Sequence, residues 1–325
     1  MSFKFNVKDI NNISGYNDLE IKLDFFIEGV SSSSRPKSNC LMFSKQLKDE
    51  QIDTFKEIKN SIILLSKECT TELEAIKKNN LVIYVENPRK EYAIILTFML
   101  KVGSSKLGYK TMENNIILGE NTIIGENTVI EPGVFIDNNV EIGNDCVIMS
   151  GARIKQYVKI GNNTVIRENC VIGGEGYGVE RDNDGFTVRI PHLGGVVIGD
   201  NVEIGALTAV AAGTIEPTII EDYVKVDNLV HIAHNCKIGR GSMIIACSEI
   251  SGSTEIGENV WVAPNACIIN KVKIGNNATI GMGSVVIKDV EEGTVVTGNP
   301  ANLIEDIKKF NAVKKKLIKD FEENN

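Results

Sequence analysis

The chain has 325 residues, a formal net charge of −8, and 42% hydrophobic residues of which few are aromatic. That length accommodates two ordinary domains, or one long repeat body with a smaller domain beside it. The acidic balance argues against a general nucleic-acid surface, and the aliphatic content excludes an intrinsically disordered chain. No apolar run reaches the length of a membrane span, so a soluble, cytoplasmic protein without a transmembrane segment is expected.

Residues 1–102 read as a small α/β domain. Buried strands are predicted at 61–67 and 81–87 and helices at 48–60 and 87–100, the second with Pro88 near its start. A polar connector follows, and 103–114 is predicted to be a linker.

From Leu118 the pattern changes. Every sixth residue is aliphatic, ten times in succession from Leu118 to Ile172, and again at Ile198, Ile204 and Val210. After a four-residue slip the period runs through twelve further positions from Ile220 to Val286. Gly often follows the aliphatic, Asn or Asp clusters after it, and a small or β-branched residue such as Thr122, Cys146 or Ala152 stands two places before it. Each hexad is therefore a short strand followed by a turn that needs a left-handed or tight backbone, and three hexads close a triangular coil of 18 residues. Aliphatic columns inside leave little room for rings, which accounts for 44 isoleucines beside a single Trp. The pattern resembles the hexapeptide-repeat left-handed parallel β-helix. The expected fold class is thus mainly β: that solenoid over 115–300, the small N-terminal α/β domain, and a C-terminal helix.

Two interruptions break the register, a long one at 173–195 and the four-residue slip between Val210 and Ile220. Loops carried on a rigid solenoid are natural sites for substrate contacts, so Tyr177 and His192 in the long loop are candidate substrate-binding residues. The glycine-rich 173–178 stretch does not open a helix inside a βαβ unit, so it is read as loop backbone and not as a dinucleotide-binding turn. The seven cysteines show no metal or disulfide spacing and read as free, buried small hydrophobes; no metal site is expected.

Three histidines occur in all, and two lie within KVDNLVHIAHNCKIG. Ile232 takes the core position, so His231 and His234 flank it and belong to no aliphatic column. Imidazoles that a solenoid face does not require are candidates for acid–base work near neutral pH. No Ser/His/Asp signature accompanies them, so direct transfer without a covalent acyl-enzyme is expected. Past Pro300, residues 301–325 form an amphipathic helix. Its six lysines are either a solvated face or a docking site for an acidic carrier protein or coenzyme phosphates.

HIAHN within a hexapeptide repeat is similar to the catalytic segment of the lipid A acyltransferases. The fuller run, VIGGEGYG, then RIPHLGGVVIGDNVEIGA, then VDNLVHIAHNCKIG, resembles the UDP-3-O-acylglucosamine N-acyltransferase family. Similarity extends into IEGVSSSSRPKSNCLMFSK, VENPRKEYA and the C-terminal helix. That family moves a hydroxyacyl chain from acyl carrier protein to a sugar 2-amine. The resemblance implies that His234 is the general base, that Phe43 lies against the nucleotide base, and that the enzyme is a homotrimer with active sites between neighbouring solenoids.

There are departures. Where the family carries Thr-Ile-Asp-Arg-Gly-Ala, this chain has Ala209-Val210-Ala211-Ala212-Gly213-Thr214. A second family histidine aligns with Lys271, and a second stacking aromatic aligns near Asp49. VVTGNPANLI is similar to acetyltransferases that use coenzyme A on nucleotide-linked amino sugars. The expectation is therefore an N-acyltransferase for surface polysaccharide that prefers acyl-CoA, with no permanently bound cofactor. His234 would be its base, with His231, Asn235, Asn228 and Lys271 contacting donor or sugar. The alternatives are authentic lipid A N-acylation from acyl carrier protein, and a non-catalytic scaffold.

Overall fold

The computed structural model describes residues 3–69, 73–103, 108–182 and 184–323. It divides into two compact bodies, one of residues 1–108, 175–194 and 214–216, the other of 109–174, 195–213 and 217–325.

The first body is built on a four-stranded parallel sheet, in the order Gly29–Val30, Cys40–Ser44, Ile62–Ser66, Leu81–Val85. Side chains alternate across it. Leu41, Ile62, Leu64 and Ile83 face helix α3 (Pro88–Gly103), whose Tyr92, Ala93, Leu96 and Met99 share their core. Met42, Ile63 and Leu65 face the opposite way, with Phe55 of α1 (Asp49–Glu57) and Ile76 of α2 (Glu74–Lys77). Burial on both faces is what a parallel sheet requires, and it explains the unbroken apolar runs.

The long interruption was expected to be an insertion of the solenoid, but 175–194 and 214–216 group with the first body. The reason is apolar. Ile190 is fully buried in that body's core, with Val188, Leu193 and Ile215 packed against it. The segment also folds on itself as a hairpin, Val179–Arg181 against Thr187–Arg189.

The second body is a left-handed parallel β-helix. Its three faces are sheets of ten, eight and ten strands, all parallel except for one antiparallel strand at an end of each ten-stranded sheet. Face one includes Arg153–Ile154 and His231–Ile232, face two Glu141–Ile142 and Lys237–Ile238, face three Val147–Ile148 and Met243–Ile244. Partners in neighbouring coils stand 18 residues apart, as in Ile136↔Ile154 and Ile232↔Ile250. The hexad isoleucines fill the interior, while Leu118, Ile124 and Ile130 at its first coil are only partly buried.

The corners assign glycine and asparagine different work. The left-handed backbone falls on Asn in most coils, for example Asn139, Asn163 and Asn259, whose side chains tolerate it. Where a Gly follows the isoleucine it is needed for clearance instead: a Cβ on Gly205 would come within 2.3 Å of the Asp227 backbone in the next coil. Residues 104–107 of the expected linker lie outside the described residues. Its Tyr109–Thr111 is a strand, antiparallel to Ile117–Gly119, held there because the Tyr109 hydroxyl donates to Asp137 Oδ1 at 2.9 Å and its ring lies 5.5 Å from that of Phe135. Helix α4 (Ile304–Glu323) follows the last coil. Cys40, Cys146, Cys170 and Cys236 are buried, but Cys247 and Cys267 are exposed because they occupy a corner and an outward strand position.

Candidate functional site

Three consecutive coils meet at the same corner, between faces one and two, and the first two depart from the regular turn there. In the first, the chain leaves after Val171–Gly174 and returns at Val196–Ile198; in the second it leaves after Ala209–Ala211 and returns at Thr218–Ile220. The third, between His231–Ile232 and Lys237–Ile238, keeps the regular length and carries His234 and Asn235.

Asn235 takes the left-handed corner conformation (φ 60°), and its N–H donates to the buried Thr218 Oγ1 at 2.9 Å. This holds its carboxamide beside His234, whose Nδ1 lies 3.0 Å from Asn235 Oδ1. An amide oxygen can only accept, so Nδ1 carries the proton and the basic lone pair falls on Nε2. The ring lies over the next coil: a Cβ built on Gly252 would be 2.8 Å from both Nε2 and Cε1. Only glycine leaves that space.

Lys271 occupies the same corner column, two coils beyond Asn235, with Ser253 between them. It too is left-handed (φ 65°), and its N–H donates to the Gly252 carbonyl at 3.1 Å. His234, Asn235, Gly252 and Lys271 are thus brought to one edge of the solenoid. Cys236 is there as well, but its thiol turns inward and donates to the Ser251 carbonyl, and burial pushes its pKa up to about 11. A thiol so held is no nucleophile at neutral pH.

His231 sits apart, on the outer side of face one. Its Nδ1 is 2.7 Å from Glu249 Oε2, and this carboxylate raises the imidazole pKa against the opposing effect of half burial. Asn228 belongs to a different corner, between faces three and one. Its Oδ1 accepts the Ala206 N–H at 2.8 Å, the same service that Asn144 gives Glu126 and Asn276 gives Glu258. It is one member of a structural ladder, at a different corner from His234.

Phe43, Tyr177 and His192 all lie in the first body. Phe43, on Cys40–Ser44, packs its ring 4.8 Å from that of Tyr92. Tyr177 is 78% exposed, with the Arg189 guanidinium 5.6 Å from its ring. His192 is buried against Gly178. Gly252 and Glu249 escaped the sequence reading, although each stands one 18-residue coil after a singled-out histidine. Among the described residues no group of three or more His, Cys, Asp or Glu is placed to hold a metal ion. No helix among them is long and apolar enough to cross a membrane.

Comparison with known proteins agrees with this architecture. The model of the bacterial transferase hexapeptide (six repeats) matches residues 139–174, 217–252 and 253–288, skipping the two excursions. UDP-3-O-acylglucosamine N-acyltransferase 2 of Legionella pneumophila (strain Lens) is 47% identical over 138 residues, 42% of this chain and 40% of that protein. The UDP-3-O-acylglucosamine N-acyltransferase of Rickettsia prowazekii is 41% identical over 148 residues, covering 46% and 42%. The chain spans less than half the length of these relatives in the match. Among solved structures, a UDP-N-acetylglucosamine acyltransferase from Campylobacter jejuni superposes with a TM-score of 0.54 at 25% identity, over 60% of this chain and 73% of that one. Another from Bacteroides fragilis gives 0.52 at 27% identity, over 56% and 69%.

These relatives overturn the expectation of an acyl-CoA enzyme for surface polysaccharide. Departures at Ala209–Thr214, Lys271 and Asp49 were read as a change of substrate, yet the relatives matching at 41 and 47% identity are named for UDP-3-O-acylglucosamine N-acylation. By its repeat and its fold, the chain is similar to the bacterial transferase hexapeptide proteins over residues 139–174, 217–252 and 253–288.

Proposed function

We propose that this protein is an N-acyltransferase of the UDP-3-O-acylglucosamine type, moving a hydroxyacyl chain from acyl carrier protein to a sugar 2-amine. One observation carries the reading: His234 is set by Asn235 in the tautomer that makes Nε2 the basic nitrogen, directly over a glycine of the next coil.

In this reading Nε2 takes a proton from the sugar ammonium. The free amine attacks the thioester carbonyl carbon, the C–N bond forms, and the oxyanion is received by the Gly252 N–H, whose neighbours Ser251 and Ser253 spend their own N–H groups on the coil-to-coil ladder. The C–S bond then breaks, the thiol leaves with the proton held by His234, and the second proton of the former ammonium passes from the nitrogen to water as the amide forms. No covalent acyl-enzyme is needed, and the protonated Cys236 supports that. Lys271, a cation on the same edge, contacts a phosphate or a sugar hydroxyl. Phe43 stacks on the base, Tyr177 and His192 contribute substrate contacts, and His231 stays beside Glu249. The protein works as a homotrimer with no resident cofactor, and the lysines of α4 meet the acidic carrier protein.

The test uses full-length protein, long-chain 3-hydroxyacyl carrier protein and UDP-3-O-acylglucosamine. Amide formation is expected, and His234→Ala should lower kcat by about 10²- to 10⁴-fold without unfolding the chain. Unchanged turnover in that variant overturns the assignment of the base. Absence of turnover with any acyl thioester favours a scaffold.

A further inference from the structure

The corner that carries His234 is tied down by a bond unlike those of the two corners above it. There, a left-handed residue gives its N–H to a carbonyl one coil below: Ser253 to His234 at 2.8 Å, and Lys271 to Gly252 at 3.1 Å. Asn235 gives its N–H to a side chain instead, the Thr218 hydroxyl at 2.9 Å. The coil below has no regular corner to offer a carbonyl, because its chain is away on the four-residue excursion and re-enters only at Thr218–Ile220. Thr218 is fully buried, yet its column on face two does not require a hydroxyl. Val140, Val158, Val196 and Val272 hold the same register position, all of them buried. Thr254, two coils above in that column, spends its hydroxyl on the carbonyls of Ser251 (2.7 Å) and Ile269 (3.1 Å).

We propose that Thr218 is a positioning residue: by accepting the Asn235 N–H, it sets the tautomer of His234. Its bearing on turnover rests on His234 as the base proposed above; the link to the tautomer does not. The hydroxyl fixes the Asn235 peptide at a corner that lacks its ladder carbonyl. That peptide aims the carboxamide, so Oδ1 stands 3.0 Å from His234 Nδ1 and keeps the proton there. The lone pair is then left on Nε2, the atom that lies over Gly252. Without the hydroxyl, the Asn235 N–H is an unmet donor beside a buried column, and the corner turns to find another acceptor. The carboxamide turns with it. An imidazole free of such an acceptor carries its proton mainly on Nε2, so the base is lost while the ring stays in place. A base oriented by a second group is a familiar arrangement; here the orienting group is itself held by a third. The four-residue excursion thus removes one acceptor from the corner and delivers a hydroxyl in its stead.

The test uses the full-length chain with ¹⁵N-labelled imidazoles, three in all, and long-range ¹H–¹⁵N spectra at pH 9, above the usual imidazole range. Thr218→Val keeps the shape and removes the hydroxyl, with a side chain the column already uses; Thr218→Ser restores the hydroxyl. In the parent, His234 should carry its proton on Nδ1. In T218V the proton should move to Nε2, in T218S it should return, and His231 beside Glu249 should change in neither. With acyl carrier protein and UDP-3-O-acylglucosamine as substrates, kcat should fall about tenfold in T218V at unchanged KM, and T218S should recover most of the loss. Nδ1 protonation that persists in folded T218V overturns the proposal, whatever the melting temperature does. So does a parent His234 protonated on Nε2. A shifted tautomer with undiminished turnover leaves the positioning intact and sinks His234 as the base. Should T218V fail to fold, Thr218→Ala is read in the same way, since Ala152 and Ala266 hold this hexad position on other faces.

Discussion

Gly252 lies beneath His234 so closely that one methyl group added there would meet imidazole Nε2 at 2.8 Å. A contact below 3.0 Å forces something to move, and the imidazole is the freer partner. Gly252→Ala should therefore displace the base and lower kcat by roughly 10²-fold. Its melting temperature should stay within a few degrees of the parent, because the Gly252 backbone is not in the left-handed region. Steady-state kinetics beside a thermal melt check this; equal activity would show that the ring position does not matter.

The His231–Glu249 pair predicts a pH dependence. The carboxylate raises the imidazole pKa in the folded state, so the pair stabilises fully below the unfolded value of about 6.5 and is lost as pH rises through the folded pKa. Because both side chains are 39–49% exposed, solvent screening limits the contribution to about 0.5 kcal/mol. Glu249→Gln should lower the NMR titration midpoint of His231, and should destabilise the protein slightly at pH 6 but not at pH 9.

Leu207 and Leu229 occupy left-handed corners (φ 59° each) in a column that elsewhere uses Gly151, Asn169 and Asn265, and both point mostly into solvent. A leucine there is strained with no burial to offset it. Leu229→Asn should stabilise by ~1 kcal/mol, read as a higher denaturant midpoint with an unchanged slope.

Thiol labelling separates the cysteines. Burial pushes Cys170 and Cys236 up to about 11 and also raises Cys146, whereas Cys247 and Cys267 are exposed. A chromogenic disulfide reagent at pH 8 should modify Cys247 and Cys267 first and leave the other three until the chain unfolds. Early modification of Cys236, read by peptide mapping, would reopen its candidacy as a nucleophile.

The solenoid was legible because its period is enforced by packing: one aliphatic side chain per turn of the triangle, repeated until chance is negligible. His234 was legible as an exception to that period. Its partners were not, because contacts across a coil join residues 18 apart, and neither Gly252 nor Glu249 stands out locally. Asn228 shows the converse: close to the histidines in sequence, it lies at another corner. The 173–195 excursion reads as loop because its apolar residues are scattered, and Ile190 finds its core only in a body assembled from distant segments. Lys271 and the missing aromatic near Asp49 were weighted as a change of substrate, when single positions say little against long stretches of shared repeat.

The two excursions also carry a consequence for how such a chain can change. Across them, coil partners stand 38 residues apart (Ile160↔Ile198) and then 22 (Ile198↔Ile220), against 18 in the regular coils, yet isoleucine still meets isoleucine. Twenty residues, then four, have been spliced in at one vertex with no frameshift in the stack above. That vertex behaves as a socket: it holds cassettes of twenty and of four residues, and in both cases the chain re-enters at the same point. New recognition can be grafted beside His234 while the aliphatic tape runs on undisturbed.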